Sequence, residues 1–113
     1  MATPSDLYSS LLAALNSARS AMLTPAWQAE LRSASSDVQV AGGKAAMDVQ
    51  SAILTLSNES LGDIAEQMQA NEADLTSATQ GLTQALKDIT KVQSILSSVT
   101  KAVAVLGKVV TLL

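Results

Sequence analysis

The sequence predicts an all-α fold: an elongated antiparallel helical hairpin or coiled-coil bundle, with one long C-terminal helix against a kinked N-terminal arm. Three observations carry this. From Leu61 to Leu113 a residue recurs at alternating steps of three and four (Leu61, Ile64, Met68, Asn71, Leu75, Ala78, Leu82 and onward to Val110 and Leu113), and only Asn71 in the series is polar. A stripe of that period covers one side of an α-helix and requires another helix to cover it. The chain is 48% apolar but only 2% aromatic, with no Phe, so its core must be built from Leu, Val, Ile and Ala. Side chains of that size suit helices packed closely along their length. Finally, both prolines, Pro4 and Pro25, precede the long stripe, and the alternating β-branched runs and turn pairs of strands are missing.

The first helix is expected at about 4–23. Thr3-Pro4-Ser5-Asp6 supplies a hydroxyl N-cap, a proline in the first turn and a carboxylate three residues after the cap. Tyr8, Leu11, Leu15, Ala18 and Met22 mark its apolar face. At Thr24-Pro25 helical geometry is disfavoured for Thr24, while Pro25 is well placed to begin a second helix, expected over about 25–57. The apolar phase slips at the same point, so Pro25 and Trp27 form a hinge or corner. Trp27 is read as a plug covering that corner, the alternative being an exposed anchor for a partner or a membrane surface. Gly42 and Gly43 interrupt the second helix at a cost of about 2 kcal/mol of helix propensity. With Ala41, Ala45 and Ala46 around them, they mark a close backbone approach in preference to a bend.

Ser57-Asn58-Glu59-Ser60 separates the second helix from the third, expected over about 60–113, where Ser60 and Asp63 can form a second capping box. Each arm of 54 residues would be about 80 Å long. The competing layout folds the first helix back into a shorter three-helix bundle. Glu59, Asp63 and Glu66 crowd the start of the third helix, while Lys87, Lys91, Lys101 and Lys108 lie in its later half. That order complements the helix dipole and favours antiparallel contact between two copies. Asn71, polar within the seam, is a candidate for fixing register against a polar partner, or else marks a locally exposed end.

The apolar face of the third helix widens toward the C-terminus, where Ile95, Ala102 and Val109 join the seam and Ala104, Val105 and Leu112 add to its flank. A face that wide calls for more than one neighbouring helix. Each Val or Leu left bare there forfeits roughly 1.5–3 kcal/mol of burial. Ile95, Val99, Ala102, Val103, Leu106, Val109 and Val110 are therefore the candidate self-association residues. The same stretch is long enough to span a bilayer, but Lys101 and Lys108 interrupt it on the line opposite the seam. A constitutive membrane helix is not expected, although insertion as part of an oligomer after a conformational change fits the same composition.

The 113 residues allow one domain, 1–113. A net charge of −3 argues against a nucleic-acid partner, which demands a basic face. With no Cys and no His, thiolate metal sites, disulfides and the usual acid–base constellations lose their members, so no catalytic residue, metal or cofactor is expected. The carboxylates Glu59, Asp63 and Glu66 read as a solvated helix start before they read as a cation site. The N-terminus lacks the basic and apolar regions of a cleaved secretory signal, so the expected location is the cytoplasm, or outside after export without a cleaved leader. The function predicted is that of a non-enzymatic helical assembly subunit whose partner is itself or another helical protein. A membrane-active pore component and an adaptor or chaperone for a partner helix are the alternatives.

Overall fold

The computed structural model describes residues 3–110, with every side chain but that of Leu61. Six helices occur among these residues: α1 (Pro4–Met22), α2 (Pro25–Arg32), α3 (Ser36–Asn58), α4 (Leu61–Ala70), α5 (Glu72–Ala85) and α6 (Val92–Val109). They form an elongated bundle of 43 × 27 × 19 Å, with no strand among the described residues. The all-α bundle architecture is the one the sequence predicts. Its subdivision differs, because the expected third helix is divided into α4, α5 and α6, and the expected second helix into α2 and α3.

Local chemistry accounts for each boundary. The Thr3 hydroxyl accepts from the Asp6 N–H at 3.1 Å while the Asp6 carboxylate accepts from the Thr3 N–H at 3.2 Å, completing the capping box of α1. Thr24 caps α2 by accepting from the Trp27 N–H at 3.2 Å, with Pro25 in the first turn. Ser35 caps α3. Between them, the Gln39 side-chain amide donates to the carbonyls of Arg32 and Ala34 and ties the α2–α3 corner. The second capping box does not form. Ser60 makes no side-chain cap bond, and the Asp63 N–H bonds instead to the Ser60 carbonyl at 2.9 Å.

Two interruptions shorten the C-terminal half. At Asn71 the backbone leaves helical geometry for one residue (φ −109°, ψ 21°). Its side-chain amide donates to the Gln67 carbonyl at 2.8 Å, so the polar partner of Asn71 lies in its own preceding turn and not across the seam. At residues 86–91 the chain turns a corner. The Asp88 carboxylate accepts from both the N–H and the hydroxyl of Thr90, at 3.1 and 2.6 Å, a local bond that competes with helix continuation.

Four helical arms close the core in a ring: α1 packs on α3, α3 on α6, α6 on α5, and α5 on α1, with α4 seated on α1 and α6. The small α2 packs against α3, α1 and α6. A bundle of short arms covers each helix from two sides. A pair of arms about 80 Å long would cover only one, and the apolar area gained by folding back drives the chain to the shorter form.

Candidate functional site

α6 carries the residues singled out for self-association. Ile95, Val99, Ala102, Leu106, Val109 and Val110 are all buried inside a single chain, the first four at 0–1% exposure. Val103 is half-buried against the same core. The wide apolar face thus has the several neighbours its width requires, and α5, α3 and α4 of the same molecule provide them. In the folded chain these seven side chains present little to a second copy. Leu112, on the expected flank, lies outside the described residues.

The charge order of the C-terminal half also finds its complement internally. Lys108, near the end of α6, meets Asp74 of the antiparallel α5 at 3.5 Å, with both side chains more than half exposed. Lys101 and Lys108 both face solvent on the side of α6 away from its core residues.

The hinge residues divide. Trp27 is 1% exposed and plugs the corner that Thr24 and Pro25 make. Gly42 is buried at a close approach: a Cβ there would lie 2.6 Å from Leu31 Cδ1 and 2.8 Å from Cδ2. Gly43 has no such reason within the chain, since a Cβ there would meet nothing within 4 Å. It costs α3 about 1 kcal/mol of helix propensity relative to alanine.

The surface feature not foreseen in the sequence is on α3. The core side of this helix is Gly42, Ala45, Val49, Ala52 and Leu56. On its other side Val40, Met47 and Leu54 are 74%, 71% and 58% exposed, although large apolar residues seldom crowd one exposed helix face. They are spaced by seven residues and so share one line. Leu23, 70% exposed at the end of α1, lies beside them, because it lines a shallow hollow with Ala46 and Gln50 of α3. The period-seven series is legible in the sequence, but α3 has apolar residues on two faces, and periodicity does not say which one the core takes.

Titratable groups form no comparable constellation. Among the described residues no three His, Cys, Asp or Glu side chains come together in a way that would hold a metal ion. The carboxyl of Asp88 is held below its ordinary value by the hydrogen bonds from Thr90, with Lys91 adding to the effect, but it sits exposed at a corner and serves the turn. No family model, curated protein or solved structure matches the chain.

Proposed function

We propose that this protein is a non-enzymatic helical assembly module whose partner is a second copy of itself. The observation that carries the reading is the cluster of large apolar side chains, Leu23, Val40, Met47 and Leu54, held in solvent at 58–74% exposure while the other large apolar side chains described are buried or half-buried. Burying such residues against another chain gains roughly 1.5–3 kcal/mol each, which favours association. The C-terminal residues Ile95 to Val110 then act indirectly, by building the rigid subunit that presents this cluster. Native mass over a concentration series tests the reading. A concentration-dependent multiple of 11.6 kDa is expected, and a folded monomer persisting at tens of micromolar overturns it.

A membrane-active role is the second reading, favoured by one observation. α6, Val92–Val109, is the helix among those described that is long and apolar enough to cross a bilayer, with a mean hydropathy of 1.2. Insertion would require α6 to leave α3 and α5, exposing core residues on both. Dye release from liposomes separates the two readings, and absence of leakage across a range of pH and lipid compositions retires this one.

A further inference from the structure

We infer that two copies of the chain pair through the outer face of α3, antiparallel, about a two-fold axis at Met47. The inference rests on the self-association proposed above and supplies its surface and symmetry.

The spacing of the exposed residues is self-complementary. Val40 and Leu54 lie seven residues to either side of Met47, about 10 Å along the helix in each direction. A two-fold axis at Met47 therefore sets Met47 on Met47 and Val40 on Leu54 of the second copy, twice. Such a contact is isologous and closes at two subunits.

The charges select the antiparallel arrangement. At about 100° per residue, Lys44 lies about 60° and Asp48 about 100° to one side of Met47, while Gly43 and Gln50 lie on the other. Antiparallel pairing brings like-named sides together. Lys44 of one copy then stands within about two residues of Asp48 of the other, and the relation is reciprocal. Along the pair the order is then Lys44, Asp48 of the second copy, Asp48 and Lys44 of the second copy, so the two aspartates flank the axis between two lysines and the 2.7 Å pair within each α3 joins one cluster of four charges. Parallel pairing would set Lys44 and Asp48 against Gly43, Ala46 and Gln50 and leave the charges without complement.

The remaining observations fall on the uncharged side. Gly43 lacks a packing reason within the chain, and a helix crossing over it would supply one. Leu23, beside Ala46 and Gln50, lies level with the axis and would meet Leu23 of the second copy. All four exposed large apolar residues among those described are then covered by one contact.

Because the chain contains no cysteine, single replacements report the geometry without background. Met47→Cys should form a disulfide-linked dimer on mild oxidation. Val40→Cys alone should not, whereas Val40→Cys mixed with Leu54→Cys should cross-link as a heterodimer. Lys101→Cys, on the exposed side of α6, is the control and should stay monomeric on the denaturing gel. Met47→Asp should shift the native mass from twice 11.6 kDa to the monomer value with unchanged helical circular dichroism. Lys44→Glu should weaken the dimer, and adding Asp48→Lys should restore it. A dimer that survives Met47→Asp and gives no Met47→Cys cross-link overturns this interface and leaves self-association standing. Efficient self-linking of Val40→Cys overturns the antiparallel arrangement. A wild-type chain that remains monomeric overturns both the interface and the function it rests on.

Discussion

Gly42 faces Leu31 across the α2–α3 corner so closely that a β-carbon would lie 2.6 Å from the leucine Cδ1. Its neighbour Gly43, one residue on, has open space where its side chain would be. Alanine should therefore act oppositely at the two sites. Gly43→Ala should raise subunit stability by about 1 kcal/mol through helix propensity alone. Gly42→Ala should fail to gain, because Leu31 must move aside. Urea unfolding in the Met47→Asp background, where association does not contribute, measures both. In a Leu31→Ala background the Gly42→Ala penalty should vanish, and its persistence there would remove the close approach as the cause.

Tyr8 and Leu56 tie the two longest N-terminal helices together. The Tyr8 hydroxyl donates to the Leu56 carbonyl at 2.9 Å, a second donor on a carbonyl near the end of α3 that also accepts from the Glu59 N–H at 3.3 Å. Tyr8→Phe keeps the ring and removes the bond. A loss of about 1 kcal/mol in unfolding free energy is expected. No change in the denaturation midpoint would mean that the Glu59 N–H and water serve that carbonyl equally well.

Leu106 is fully buried in α6, while Val103, one turn earlier, is only half-buried. Leu106→Ala should cost 2–5 kcal/mol, roughly the range for deleting a buried leucine, and should lower the melting temperature of the subunit itself. Val103→Ala should cost distinctly less. If Leu106→Ala instead left the subunit melt unchanged and altered only native mass, α6 would be an interface helix and not a core helix.

Asp88 fixes the α5–α6 corner as a carboxylate. Thr90 hydrogen bonds favour its charged form and lower its pKa from the ordinary 3.8, so the stabilisation is present above that value and lost as pH falls through the lowered one. Asp88→Ala should melt at a lower temperature than the wild type at neutral pH. The two melting curves should converge once the pH falls well below 3.8, when the wild-type carboxyl is protonated too. A difference that stays constant across that window would assign the effect to something other than the carboxylate.

The starts of α1 and α2 were legible because side chains a few residues apart determine them: Thr3 with Asp6, and Thr24 with Pro25 and Trp27. The corner at 86–91 was not, and the reason is physical. Leu82, Ile89 and Val92 anchor to one core from both sides of the turn, so the three-four spacing runs through it unbroken. The only local sign was Asp88 with Thr90, a pair able to satisfy backbone groups without a helix. Periodicity likewise says that the face containing Ile95 and Leu106 needs covering helices, but not whether they belong to the same molecule. Here α3 and α5 follow from the chain folding back on itself. Val40, Met47 and Leu54 were equally visible as letters, yet only the packing of Val49 and Leu56 into the core assigns them to the outside.

α6 is sealed by its own chain, and the association proposed above engages α3 instead. Residue-resolved amide hydrogen exchange on the Met47→Asp monomer tests it most directly. The amides of residues 95–106 should exchange as slowly as those of α1 and α3, near the limit set by global unfolding. Rapid exchange along α6 in the monomer, slowed only when subunits assemble, would contradict it.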